Sequence, residues 1–200
     1  MYNHTIVKNV LDENSFTELY RYIHKEDLDW YYSPDVTGDG SDYWKYDNKI
    51  IRTSHFTHLL IDGEYVNKDF TNIVTIVKNI IKGVGKWEKV EILRAKLNML
   101  TNNSKMQPDF YNTPHVDYME KYNPITSAIL YLNNSDGDTF LFNERYKGEN
   151  LKKWTVNTRI TPEKNKLVYF DNFYYHASQN PMKSERRLVL NLNFKVIKAL

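Results

Sequence analysis

The apolar positions of this chain change their period part-way along. In the N-terminal portion Phe16, Leu19, Tyr20 and Ile23 recur at helical spacing, predicting an amphipathic helix that runs to about Lys25. Ser15-Phe16-Thr17-Glu18 reads as its capping box. A second helix is marked by Phe70, Ile73, Val74, Val77, Ile80 and Ile81, with Gly83 as its stop. His4 to Val10 and the aromatic Trp30-Tyr31-Tyr32 read as short strands, and Ser33 to Gly40 as a loop.

Beyond Gly85 the period drops to two. From Val90 to Leu100, Leu93, Ala95, Leu97 and Met99 line one face, while Arg94, Lys96 and Asn98 line the other, most simply as a solvated face and alternatively, since the metal loop follows, as an inward polar row facing a polar cavity. Thr101 to Thr113 is a polar loop. Further strands follow at Ser127–Asn133, Thr139–Asn143, Trp154–Ile160, Leu167–Asp171 and Arg187–Ile197, with Gly137, Pro162 and Pro181 among the turns. Many short strands after a helical start predict a mainly β (α+β) fold, a jelly-roll or double-stranded β-helix with helices packed outside. The expected organisation is one domain over 1–200, with 1–88 as helical support and outer strands and 89–200 as the core.

Composition narrows the chemistry. The formal charge is +2 and no run of Lys or Arg stands out, so no nucleic-acid partner is expected. The absence of cysteine excludes disulfides, thiolate zinc sites and cysteine nucleophiles. No stretch is apolar enough for a signal peptide or a membrane span, and a soluble, cytoplasmic protein is expected. The sixteen tyrosines, including Tyr31, Tyr32 and Tyr43 beside loops, suit a substrate cleft but equally follow from core packing.

The candidate chemistry centres on Thr113-Pro114-His115-Val116-Asp117-Tyr118. In an extended segment His115 and Asp117 point the same way, and Pro114 biases Thr113 towards that geometry. An imidazole and a carboxylate so placed are two parts of a 2-His-1-carboxylate iron site. His176, expected at the end of the strand Leu167–Asp171, is the second histidine; His55 and His58 are rivals without that strand-end context. Three protein ligands leave room on Fe(II) for a bidentate 2-oxo acid and O2. The far carboxylate of such a dianion needs a cation, and Arg187 heads the last strand on the face shared by Val189, Asn191 and Asn193. Arg186 then points outward, unless the register shifts by one.

His115-x-Asp117, His176 and Arg187 together resemble the Fe(II)/2-oxoglutarate-dependent dioxygenases, specifically their prolyl 4-hydroxylase-like branch. Tyr131-Leu132-Asn133, Asp136-Gly137-Asp138-Thr139 and Leu167-Val168-Tyr169-Phe170-Asp171 are similar to further segments of that branch. The likeness spans roughly Ile92 to Phe194. It implies that His115, Asp117 and His176 bind Fe(II) and are the catalytic centre. Arg187 is then the anchor of 2-oxoglutarate, aided by Tyr131 and Thr139, with Asn98 where the family often has a tyrosine. The implied reaction converts 2-oxoglutarate and O2 to succinate and CO2 while hydroxylating a C–H bond. A prolyl residue is the first substrate expected, with other peptides, proteins and small molecules open. The competing expectation is a non-catalytic, cupin-like jelly-roll module for a sugar or small molecule that keeps His115 and His176.

Overall fold

A computed structural model of the chain describes residues 4–37, 45–67, 75–81, 87–118, 124–148 and 151–199. Two antiparallel sheets face one another. The larger has eight strands: β1 (His4–Lys8), β9 (Lys166–Asp171), β6 (Ile125–Tyr131), β11 (Arg186–Ala199), β5 (Trp87–Thr101), β3 (His55–Asp62) and β2 (Tyr31–Ser33) run in that order, and β4 (Tyr65–Val66) pairs with β3. The smaller is β10 (Tyr174–Ser178), β7 (Thr139–Arg145) and β8 (Val156–Ile160). This is the jelly-roll arrangement that the alternating C-terminal pattern predicts.

The long pair β5 and β11 is the spine of the larger sheet, and its two faces do different work. Leu97 and Leu190 are register partners, as are Ala95 and Leu192. These residues pack outward against Phe16, Leu19, Tyr22 and Ile23 of the helix α1 (Glu13–Ile23), and against Ile76, Val77, Ile80 and Ile81 of the helical segment 75–81. Burying side chains of this size contributes about 1.5–3 kcal/mol each. The opposite face carries Arg94, Lys96 and Asn98 on β5, level with Asn193, Asn191 and Val189 on β11. It looks toward the smaller sheet, and Tyr131, Val189 and Val168 meet Leu141 and Ile160 across the gap. The row expected to be solvated therefore lines the interior.

Several element boundaries differ from expectation. The N-cap of α1 is Asp12, whose carboxylate accepts from the Ser15 backbone N–H at 3.0 Å and from its hydroxyl at 2.6 Å. Leu11 is tied to Asn165 by two hydrogen bonds, which keeps it outside the helix. Strand β3, in a region expected to hold support elements, joins the larger sheet beside β5. His176 does not sit at the end of β9: the chain turns at Asn172 and Phe173, and the histidine lies inside β10 in the other sheet. Phe70, Ile73, Val74 and Gly83, expected in the second helix, and Tyr43 lie outside the described residues. No described helix is long and apolar enough to cross a membrane.

Candidate metal and cosubstrate site

Backbone pairing puts the two histidines side by side. The His115 N–H donates to the His176 carbonyl at 2.9 Å, and the His176 N–H returns to the His115 carbonyl at 3.0 Å. Such a doubly bonded antiparallel pair sends both side chains to one side of the sheet. Asp117, two residues on, joins them: its Oδ2 is 3.4 Å from His176 Nε2 and its Oδ1 is 3.8 Å from His115 Nε2. The three ligand atoms all lie within 4.8 Å of one another. Neither rival belongs to this cluster. His58 Nε2 meets the Tyr22 hydroxyl at 3.0 Å and its Nδ1 meets the Asp29 carbonyl, both in the core. His55 is buried on β3.

The tautomers are set by carbonyls. His115 Nδ1 is 3.0 Å from the Thr113 carbonyl and His176 Nδ1 is 3.5 Å from that of Tyr174. A carbonyl can only accept, so each Nδ1 carries a proton and each Nε2 is the nitrogen turned to Asp117. Burial, with His176 alongside, lowers the His115 pKa to about 4, which keeps the ring neutral. Burial acts to raise the pKa of Asp117, but His176, Arg94 and His115 outweigh it and hold the carboxyl well below its usual range. The carboxylate is gripped by Arg94 Nη2 at 3.1 Å, the Ser127 hydroxyl at 3.1 Å and Asn193 Nδ2 at 3.3 Å. Arg94 is itself oriented by Asn193 Oδ1 at 3.0 Å.

Arg187 ends up buried further along β11 from Asn193, whereas Arg186 is only half-buried. Its Nη2 donates to Thr139 Oγ1 at 2.7 Å, and the Tyr131 hydroxyl donates to the same oxygen at 2.8 Å. With both lone pairs of Thr139 engaged, its own O–H is free to donate. Arg187 Nε is buried without a hydrogen bond, and no carboxylate pairs with the guanidinium among the described residues. A buried, unpaired guanidinium is costly, and a bidentate carboxylate is its natural complement. Burial pushes the Tyr131 hydroxyl up to about 12, so it remains a donor. Asn98 and Tyr131 flank Val189 in register on either side, and Asn98 Oδ1 is also buried without a partner. The Gly137 turn that delivers Thr139 tolerates no side chain, since a Cβ would collide with the Gln179 carbonyl and the Pro181 nitrogen.

The structure thus brings together the three expected ligands, and separately Arg187, Thr139 and Tyr131. It adds Arg94, Ser127 and Asn193, which sequence reasoning did not select for the site.

A family model described as the 2OG-Fe(II) oxygenase superfamily matches residues 101–195. The match supports a 2OG-Fe(II) oxygenase over that stretch of the chain. An enzyme of the 2-oxoglutarate oxygenase kind is what it points to, and the family uses Fe(II), 2-oxoglutarate and O2. Among solved structures, an oxidoreductase of the 2OG-Fe(II) oxygenase family from Burkholderia pseudomallei is similar at TM-score 0.65 and 14% identity, over 98% of this chain and 86% of that one. A prolyl-4-hydroxylase from Pseudomonas putida is similar at 0.56 and 14%, over 98% and 93%. HygX from Streptomyces hygroscopicus, solved with nickel and 2-oxoglutarate bound, is similar at 0.57 and 10%, over 98% and 84%. At these identities the likeness shows the fold. No curated protein sequence matches significantly. The donor set suits the cofactors of such an oxygenase: two imidazole nitrogens and one carboxylate for Fe(II), and a buried guanidinium whose Nε has no hydrogen bond for the far end of 2-oxoglutarate.

Proposed function

We propose that this oxygenase hydroxylates a C–H bond, with His115, Asp117 and His176 holding Fe(II) and Arg187 binding the distal carboxylate of 2-oxoglutarate. The observation that carries the reading is the presence, beside the ligand cluster, of a buried guanidinium that makes no ion pair among the described residues and whose Nε has no hydrogen bond. Iron held by these residues would supply the oxidising chemistry, drawing on O2 and on the breakdown of 2-oxoglutarate to succinate and CO2. The chain's own residues position and insulate. Arg187, with the Thr139 hydroxyl beside it, fixes one end of the cosubstrate and so orients the other. Arg94, Ser127 and Asn193 hold Asp117 ionised and aimed, while the Thr113 and Tyr174 carbonyls keep both imidazoles presenting Nε2. Apolar residues around the cavity, among them Ile129, Val168 and Phe170, limit water.

For the substrate, the resemblance to the prolyl 4-hydroxylase-like branch makes a prolyl residue in a peptide the first choice, and a small molecule the second. The non-catalytic alternative is disfavoured by the orphaned Arg187, because a module without a cosubstrate has no use for a buried unpaired cation. The test is an anaerobic visible spectrum of the Fe(II)-loaded protein before and after 2-oxoglutarate. A new weak charge-transfer band, absent in Asp117→Asn and shifted to higher 2-oxoglutarate concentration in Arg187→Met, is expected. A folded, iron-loaded protein showing no band would overturn the assignment.

A further inference from the structure

The inward face of the larger sheet carries more positive charge than the metal and cosubstrate readings use. Lys96 lies on β5, in register with Asn191 on β11 and Leu59 on β3. It is two residues from Arg94, whose guanidinium reaches Asp117, and two from Asn98. Strand alternation therefore turns its side chain into the same space between the sheets. There Arg94 is matched by Asp117, and Arg187 by the distal cosubstrate carboxylate, while the other cosubstrate carboxylate belongs at the metal. Lys96 is left over: among the described residues its ammonium makes no ion pair or hydrogen bond.

Its surroundings are unmatched as well. His55 Nδ1 and Asn191 Oδ1 are buried without partners. Burial and the charge of Lys96 lower the His55 pKa to about 4, so near neutral pH it is an uncharged ring with one N–H to offer. Burial, then Arg94, lowers the pKa of Lys96 itself, whereas Asp117 and Asp62 act in the opposite sense from a distance. A single ammonium flanked by neutral polar groups fits a monoanion. A phosphate dianion would call for a second free cation, and both arginines are committed.

We propose that Lys96, with Asn191 beside it in register and His55 further along the same face of the sheet, is a specificity-determining residue of the oxygenase, and that the molecule it oxidises carries a carboxylate held against the Lys96 ammonium. This rests on the iron and 2-oxoglutarate reading above and adds to it the charge class of the substrate. The carboxylate of a free amino acid and that of an acidic side chain in a peptide are the same chemistry to this site.

The experiment uses the full chain loaded with Zn(II) and N-oxalylglycine, an unreactive analogue of the metal and cosubstrate. Its lysines are labelled with ¹³C at Cε, and Lys96 is assigned from Lys96→Met. Acetate is titrated against acetamide. The expected result is a saturable shift of the Lys96 signal with acetate and none with acetamide, while Lys96→Met binds N-oxalylglycine within about twofold of the parent. No saturable acetate shift in protein that binds N-oxalylglycine overturns the proposal and leaves the oxygenase reading intact. A Lys96 shift already produced by N-oxalylglycine, with its affinity lost in Lys96→Met, also overturns it and assigns Lys96 to the cosubstrate. Failure of the parent protein to bind Zn(II) and N-oxalylglycine overturns both readings together. A second arm compares L-proline with L-prolinamide, and acetyl-Glu-Pro-amide with acetyl-Gln-Pro-amide. A preference of about tenfold for the acid in either pair, lost in Lys96→Met, names the source, and equal binding within both pairs overturns the substrate assignment.

Discussion

The two ends of the cavity are built on opposite principles. At the metal end the protein supports its own groups: Asp117 has three hydrogen-bond donors and each imidazole a backbone carbonyl for its Nδ1, which leaves His176 Nε2 buried and turned to the cluster without a partner. At the cosubstrate end it leaves vacancies in the bonding, with Arg187 Nε and Asn98 Oδ1 both buried and unmet. The first end is preorganised, so its geometry persists without a ligand. The second is complementary to an anion that no described residue supplies, and its cost is recovered on binding. Substitutions should therefore act mainly on geometry and metal affinity at one end, and on cosubstrate affinity and ligand-free stability at the other.

The largest effect is expected from Asp117→Asn, which keeps the shape but removes the charge that Arg94 faces. Fe(II) affinity should fall by more than about 100-fold, beyond what the loss of a mere supporting residue causes, and succinate formation should cease. Equilibrium dialysis of iron and a succinate assay decide this. Unchanged iron binding would show that the cluster is only a hydrogen-bonded set. Arg187→Met should come next. Truncating one side of a buried charge pair costs about 2–5 kcal/mol, so the 2-oxoglutarate Kd should rise about 30-fold to several thousandfold. Without ligand the same variant should be at least as stable as the parent, because a buried unpaired charge is gone. If thermal unfolding shows a large loss of ligand-free stability instead, the cosubstrate end is self-sufficient and the contrast fails.

Arg94→Met tests the metal end more gently. It leaves the three ligands in place and removes one of the donors to Asp117, so iron affinity should drop about 10–100-fold with little change in 2-oxoglutarate Kd at saturating metal. Equal losses for metal and cosubstrate would mean that the two ends are mechanically one unit.

Which parts were readable from sequence follows the same division between local and non-local causes. His115, Asp117 and Arg187 were legible because strand period alone fixes which side chains share a face, and Pro114 marks an extended entry. Arg94 and Lys96 were misread for the same reason: period separates the faces of β5 but cannot say which one another sheet will cover. That depends on the smaller sheet closing over from a distant part of the chain. Strand β3 was missed because its register shifts between Leu59 and Ile61, which breaks the alternation. The separate strand β10 was hidden by a short turn after β9, anchored when the Phe173 N–H donates to Asp171 Oδ1 at 2.9 Å. The Asp12 cap competed with an equally good pattern at Ser15. The choice was made by Asn165, 154 positions away, holding Leu11.

The smallest effect, and the finest test of the contrast, is Thr139→Val. The hydroxyl of Thr139 accepts from Arg187 and Tyr131 and has one proton left to give. Valine fills nearly the same volume, so packing around this residue, which is 1% exposed, should survive. Two donors then lose their acceptor, and a bound carboxylate loses one donor. If the carboxylate is what these groups serve, Arg187 and Tyr131 transfer their bonds to it in the complex. The complex is then poorer by only one hydrogen bond, about 1 kcal/mol. The ligand-free protein has no such replacement and should lose about 1–3 kcal/mol for the stranded buried donors, so the 2-oxoglutarate Kd should stay level or fall by up to about 30-fold. Calorimetric titration and thermal unfolding with and without 2-oxoglutarate check both numbers. A stabilisation by saturating 2-oxoglutarate at least as large in Thr139→Val as in the parent places Thr139 as support for an anion site. A collapse of binding would instead make its hydroxyl the principal anchor and reduce Arg187 to a neighbour.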